Sequence, residues 1–534
     1  MGDPATEHAY VGDAVEPGFR IDHASTRQHG PHPPPARCAG RPGPLVPWSA
    51  APGARISGLP TSLSARGRTQ EDAMRRAPFA LFALLLVPGG AEAQTRSPVR
   101  PDSRWSLAAA GDVIMNRRII QFDQTADPAF HELANVIRAA DAAFVNLEQS
   151  VFRLQYFDGW AAAENGGNYE VGSPETLQDL VDMGFDLFNR ANNHTTDYGV
   201  EGMRLTNRLM DEWGLVHAGT GENLAWASRP GYLDTPKGRI AMIGMASTHT
   251  PMSRAGRAGP EVAGRPGLNA LRLQRRNEGS PATMQALRDA ARAQGANVSD
   301  DAGSPVRTFG ATVFPGQVDR VVVRLNDTDR ERVMHEVRNA ADQGDYVVVN
   351  SHSHEPGNGS QTPPEWMVEF THQVIDAGAN MFIIHGPHQL RGIEIYNGRP
   401  IFYSLANFIF QNETIDPMPS DQRDRYAIPL DQLASEIYDR RFRVDAEGNA
   451  TAGFPTGSEW YESVVAVADF EGEEVVEIRL YPIELGWKEP RSQRGTPRIA
   501  PEALGRRIIE HLAELSRPFG TEIEYEGGVG VWRR

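Results

Sequence analysis

The stretch Asn380-Met-Phe-Ile-Ile-His385-Gly-Pro-His388-Gln-Leu-Arg-Gly-Ile-Glu394-Ile-Tyr396-Asn-Gly-Arg-Pro400-Ile-Phe-Tyr-Ser-Leu-Ala-Asn407-Phe-Ile-Phe410 decides how this chain is read. Residues 381–384 form a buried apolar run that breaks at once into a polar turn holding His385 and His388. Residues 392–396 and 400–405 follow as two more strands, joined by Asn397-Gly398, a strong hairpin signal between alternating apolar runs. Histidines where a buried strand ends stand where α/β proteins put reactive or metal-binding groups. Two surface histidines in a Gly-Pro turn would read the same locally, so the rest of the chain decides.

The pattern recurs upstream. Residues 105–110 read as a strand ending in Gly111-Asp112, with a helix expected soon after through Asn116-Arg117-Arg118. Residues 143–148 are a short buried strand carrying Asn146 and ending in Glu148. Residues 185–189 lead into Asn192-Asn193-His194 and Asp197, and 346–350 open into His352 and His354. Helical spacing marks 131–140, 202–213, 330–343, 365–377 and a closing helix at 501–516. It also marks 174–183, where Ser173 is placed as N-cap and Pro174 takes the first helical position. Further strands are expected near 215–218 and 239–245, and 464–470 with 475–480 make a hairpin. Residues 153–172 and 411–455 read as irregular, and 249–305 as a polar Gly-, Arg- and Pro-rich insertion with helix near 282–293. Alternating helices and strands without repeats predict one large α/β domain over 105–534.

The chain has 534 residues and a formal net charge of −16, which argues against general affinity for nucleic acid or anionic lipid. Residues 1–73 lack apolar periodicity and cannot bury enough surface to offset their ordering entropy. Next come Met74-Arg75-Arg76, an apolar run to Val87, and Ala91-Glu92-Ala93, the three parts of a secretory signal peptide. That run is too short for a comfortable permanent span, and no later stretch suits a transmembrane anchor. Met74 is therefore expected to be the initiator, with 1–73 either upstream of the translated start or a disordered leader. Residues 74–93 are then the signal peptide and 94–104 a linker. Cleavage after Ala93 exports the chain to the periplasm or beyond without Cys38, its sole cysteine. That excludes disulfides, thiolate metal sites and cysteine nucleophiles.

In open α/β sheets ligands gather outside strand ends, so these polar groups are expected to converge on one site. Carboxylate oxygens, an Asn carbonyl and His nitrogens suit a divalent cation with open coordination positions, Mn, Fe, Zn or Mg. Such a cation activates water near neutral pH. Each group has a plainer use: Asp112 as a helix cap, Glu148 paired to a surface Arg, Asn193 and His194 stabilising their own turn.

Ala110-Gly-Asp112, Val145-Asn146-Leu-Glu148, Ala191-Asn-Asn-His194 with Asp197-Tyr-Gly199, and Ile395-Tyr through Tyr403-Ser-Leu-Ala-Asn407-Phe resemble the CapA family of poly-γ-glutamate capsule biosynthesis proteins. That family is related to calcineurin-like metallophosphoesterases. The resemblance runs over about 105–482 and fits the closing helix. It implies a two-sheet sandwich flanked by helices, a metallophosphoesterase-like four-layer α/β/β/α fold, with a metal-centred site at the strand ends. It implies Asp112, Glu148, Asn193, His352 and His388 as ligands, with His385 in reserve. His194 would act beside the reacting group as general acid or charge stabiliser, oriented by Asp197. Asn146 and His354 are assigned to substrate. The chain departs from the wider pattern: no histidine follows Asp112 by two residues, His385 and His388 are separated by two residues rather than one, and Ala406 stands where glycine is usual. One metal or two is left open.

The expectation is an exported, metal-dependent hydrolase or transferase-like enzyme of capsule or envelope polymer metabolism, acting on a phosphoester or glutamyl substrate. Arg265 and Arg272 of the insertion would hold an anionic substrate, because Arg forks match carboxylate and phosphate. The alternative is a non-catalytic factor that binds or tethers an anionic polymer with envelope assembly partners.

Overall fold

Apolar runs that end in polar groups fold into two main sheets in the computed structural model, which describes residues 104–119, 127–162, 168–444, 450–453 and 457–534. The leader 1–73, the signal-peptide segment 74–93 and the linker up to residue 103 lie outside the described residues.

The first sheet centres on Arg104–Ile114. Ala142–Leu147, Leu187–Asn189 and Val216–Ala218 extend it on one side in parallel. Glu462–Glu471 and Glu474–Glu484 extend it on the other as an antiparallel hairpin. The second sheet has the order Ile393–Tyr396, Arg399–Phe402, Met381–His385, Tyr346–His352, Gly238–Ala246, Gly231–Thr235, and its four middle strands are parallel. The expected Asn-Gly hairpin is present: Asn397 and Gly398 have φ of 50° and 72°, the left-handed pair that a type I′ turn requires.

Three buried clusters hold these elements. Trp105, Leu107 and Phe144 of the first sheet share one cluster with Met242, Tyr346, Val348 and Ile383 of the second. Within it Trp105 stacks on Tyr346 with ring centroids 3.9 Å apart, a contact that adds about 0.5–1.5 kcal/mol beyond burial. Helices Pro128–Arg138 and Pro174–Met183 pack on Val113 and Val145 of the first sheet, and Asp127 caps the former through the Phe130 N–H. Helices Asp327–Gln343 and Glu365–Asp376 pack on Val347, Val349 and Phe382 of the second.

Four expectations change. No helix forms at Asn116–Arg118; the strand continues to Ile114 because Gly111, lacking a Cβ, lets the carbonyl of Ala406 approach and the Asn407–Phe410 strand pair alongside. The polar segment holds more than the helix Pro281–Ala293: Leu273–Gly279, Val306–Thr308, Ala311–Pro315 and Arg320–Leu325 make a separate four-stranded sheet reaching past residue 305. Residues 411–455 contain the helices Ser420–Arg425 and Ser435–Arg441. The helix Glu502–Ser516 does not close the chain, since Glu524–Glu526 and Val529–Arg533 follow and join the first sheet. Among the described residues no helix is long and apolar enough to cross a membrane.

Candidate metal centre

Register brings the strand ends together. Across the first sheet Asp112 pairs with Asn146 on one side and Asn407 on the other, and Asn146 pairs with Asn189. Across the second, His352 pairs with His385. The side chains at these positions are buried almost completely.

Asp112 is gripped from several directions. Asn146 Nδ2 donates to its Oδ1 at 2.7 Å, and the Gly386 N–H donates to its Oδ2 at 2.9 Å. His388 Nδ1 lies 3.4 Å from Oδ2, and the Nδ1 atoms of His385 and His352 lie 3.7 and 3.8 Å from Oδ1. Burial alone would raise this carboxyl; the imidazoles outweigh it and hold Asp112 well below the usual carboxylate range. Asn146, in turn, accepts from Asn189 Nδ2 at 2.7 Å. It therefore positions Asp112 from within the protein, where substrate contact was expected of it.

Glu148 contrasts with Asp112. Both its oxygens are buried and neither has a hydrogen-bond partner among the described residues. His352 Nε2 is 3.4 Å and His388 Nε2 3.9 Å from Oε1. Burial first, and then the charges of Asp112, Glu170 and Asp197, push its pKa well above the ordinary value. A second orphan is Asn193, whose Oδ1 is buried without a partner.

The histidines close the cluster. His352 Nδ1 is 3.1 Å from His385 Nδ1, and His352 Nε2 is 3.0 Å from His354 Nε2. Burial drives His354 down to about 3 and His385 down to about 4, and it also holds His352 well below the ordinary imidazole value. All three are neutral imidazoles at neutral pH, the form in which histidine ligates a metal. Three trios bring ligand atoms within 4.8 Å of one another: Asp112 with His352 and His385, Glu148 with His352 and His354, and Asp112 with Glu148 and His388. The donor set fits a divalent cation. A buried carboxylate pair facing neutral imidazoles, with Glu148 and Asn193 oxygens unsatisfied, lacks positive charge that a cation would provide.

His194 and Asp197 lie beside this cluster. Asp197 Oδ2 is 2.7 Å from His194 Nδ1 and also accepts the Glu170 N–H at 2.6 Å. Burial works against the imidazolium, yet the Asp197 carboxylate holds the His194 pKa above its ordinary value. Residues 248–253 frame this end, since Thr196 Oγ1 is 2.7 Å from Ser253 Oγ and Thr248 Oγ1 accepts the His354 N–H at 2.8 Å. The two insertion arginines are occupied elsewhere. Arg272 clasps Asp329 through Nε and Nη2 at 2.8 and 2.9 Å, and Arg265 Nε donates to the Arg254 carbonyl at 2.8 Å.

Sequence reasoning passed over three buried groups here. Asn189 supports Asn146; Arg190 donates from Nη1 to the carbonyls of Leu147 (3.1 Å) and Gln149; Glu170 backs Asp197. Asn189 ends its strand much as Asn146 and Glu148 flank the end of theirs at Leu147, so the same signal was available for it.

Residues 106–412 match the model of the bacterial capsule synthesis protein family PGA_cap. The chain belongs to that family. An uncharacterized protein of Sinorhizobium fredii is 40% identical over 446 residues, covering 80% of this chain and 93% of that protein. The PGA biosynthesis protein CapA of Bacillus subtilis is 25% identical over 312 residues, 58% of this chain and 64% of the relative. A polyglutamine synthesis accessory protein of Mycobacterium tuberculosis is 25% identical over 282 residues, 52% and 57% respectively. The PGA_cap match spans Asp112, Glu148, His194 and all four clustered histidines.

Proposed function

We propose that this PGA_cap protein is an exported, metal-dependent hydrolase or transferase-like enzyme acting on an anionic capsule or envelope polymer. Export would rest on the signal peptide at 74–93, and the helices and sheets described above would form an α/β/β/α layering. The observation that carries the reading is Glu148: a fully buried carboxylate with both oxygens unsatisfied, beside Asp112 and three neutral histidines. Asp112, Glu148, His352, His385 and His388, with Asn193 and His354 in reach, would hold a divalent cation, which would supply positive charge for activating water and stabilising a developing oxyanion.

The chain's own residues account for the remainder. The Asn189–Asn146–Asp112 relay fixes the orientation of Asp112. Asn407 Oδ1 lies 2.8 Å from His388 Nδ1 and orients the ring, whose Nε2 is 3.9 Å from Glu148 Oε1. Asp197 takes up His194 Nδ1, so His194 Nε2 is the nitrogen available to give a proton to a leaving oxygen.

A second reading is favoured by the Mycobacterium relative, whose name describes an accessory protein. In it the same centre binds metal or polymer without turnover. Elemental analysis of purified protein, followed by a screen of phosphoesters and γ-glutamyl peptides, separates the two. Metal with turnover supports the enzyme, metal without turnover the accessory factor, and no metal after reconstitution sinks the enzyme and leaves only polymer binding without metal.

A further inference from the structure

The Glu148 carboxylate accepts no hydrogen bond among the described residues, so its direction is set by the backbone that carries it. One buried side chain holds that backbone on both sides. Arg190 Nη1 donates one hydrogen to the Leu147 carbonyl at 3.1 Å and the other to the Gln149 carbonyl. Between them the Glu148 N–H donates to the Val113 carbonyl at 3.0 Å. The main chain of Arg190 serves the other half of the site. Its carbonyl accepts from Thr195 Oγ1 at 2.7 Å, and that hydroxyl accepts the Asn192 N–H at 3.0 Å. Asn192 completes the circuit: its Nδ2 donates to the same Leu147 carbonyl at 2.8 Å, and its Oδ1 accepts the His194 N–H at 3.2 Å. Direct contacts thus join the segment carrying Glu148 to the turn carrying Asn193 and His194.

The position does not need a guanidinium to be filled. Arg190 is fully buried, its Nε and Nη2 have no hydrogen-bond partner, and no carboxylate pairs with it among the described residues. Burial pushes its pKa down to about 9, so it stays cationic at neutral pH. A buried cation without a counter-charge destabilises the fold, and an apolar side chain of similar volume would avoid that cost. Nη1 is the one nitrogen of the guanidinium that is engaged, and both its hydrogens go to the carbonyls flanking Glu148.

We propose that Arg190 is a positioning residue of the metal centre: by holding the carbonyls on either side of Glu148, it sets the Glu148 carboxylate beside His352 and His388, where it would meet the cation. The assignment rests on the functional reading above and gives an otherwise unanchored ligand its support. The plainer alternative is that Arg190 only ties the end of Ala142–Leu147 to that of Leu187–Asn189.

The test titrates the full chain, stripped of metal, with Co²⁺ and follows both affinity and the visible spectrum of the bound ion, which reports its ligand geometry. Arg190→Met fills the space without a donor. It should weaken Co²⁺ binding about 10–100-fold, the loss typical when a group that orients a ligand is removed, and should alter the spectrum. Arg190→Lys can still donate to both carbonyls and should restore most of the affinity and the parent spectrum. Should Arg190→Met fail to fold, Arg190→Gln replaces it with the same expectation, since its shorter amide cannot reach both carbonyls. Parent-like affinity and spectrum in the Met or Gln variant overturn the proposal, as does an Arg190→Lys that binds no better than they do. Loss of fold in both the Met and Gln variants makes Arg190 a structural residue and overturns it too. A parent that binds no Co²⁺ instead overturns the functional reading, so the two failures are told apart.

Discussion

Asp197 Oδ2 stands 2.7 Å from His194 Nδ1, and both side chains are buried. Because the same oxygen also takes the Glu170 N–H at 2.6 Å, Asp197 is fixed by the backbone before it fixes the ring. The imidazole is thereby held with one nitrogen committed and the other available. Asn193, the residue before His194, has its side-chain carbonyl oxygen buried without a hydrogen-bond partner.

His194→Ala should keep its metal and lose turnover by about 10²–10⁴-fold, the usual span for general acid–base help. Asp197→Asn should fall between that variant and the parent, since the amide oxygen still accepts from Nδ1 but carries no charge. Elemental analysis beside a turnover assay decides this. Loss of metal from His194→Ala would make His194 a ligand and refute the assignment.

Glu148→Gln should act in opposite directions with and without metal. In metal-free protein Glu148 is a buried carboxyl with no partner, so a neutral amide should raise the melting temperature. With metal present the variant loses a ligand and should melt below the parent. Thermal melts with and without chelator test both signs, and a variant that melts below the parent in both conditions removes the argument from the orphaned oxygens.

The strand ends were legible because each joins an apolar run to a group that cannot stay buried alone: Asp112, Glu148, His352, His385. Their convergence was not legible, since it depends on pairing between strands up to about three hundred residues apart, such as Asp112 with Asn407. Asn146 looked like a substrate contact because sequence gives no sign that Asn189 and Asp112 would enclose it. Glu170 lay in a stretch read as polar loop, and only the fold buries it against Asp197. The four-stranded sheet that begins in the insertion was missed in part because Arg320-Val-Val-Val-Arg-Leu325 is short and flanked by charge.

Glu170 should make stability fall as pH rises. Burial, with Asp197 adding to it and His194 opposing, pushes its pKa up to about 7 from an ordinary 4.5. Between those values the folded protein holds a proton that the unfolded chain has released. Its contribution is therefore full below about pH 4.5 and is lost as pH rises through about 7. Glu170→Gln should gain in melting temperature relative to the parent from pH 5 to pH 8. Equal pH slopes for the two proteins in calorimetry would contradict the burial argument.

Gly111 should tolerate no side chain. A Cβ built on it would lie 1.8 Å from the Ala406 oxygen and 2.8 Å from the Ala406 carbonyl carbon. That oxygen cannot simply retreat, because it accepts the Asp112 N–H at 3.0 Å. Ala406 is itself held at φ 61°, in the left-handed region, with its N–H on Ser404 Oγ at 3.1 Å. Glycine would adopt that conformation without the strain that alanine carries. Ala406→Gly relieves strain but removes a buried methyl, so it should change stability by no more than about 1 kcal/mol. Gly111→Ala must either force the two strands apart or free the buried Asp112 N–H, and should cost about 3 kcal/mol or more. Since either movement shifts Asp112, metal content should fall together with stability. Denaturant unfolding and elemental analysis of Gly111→Ala check both effects, and a variant with parental stability and metal would contradict the pairing of Asp112 beside Asn407.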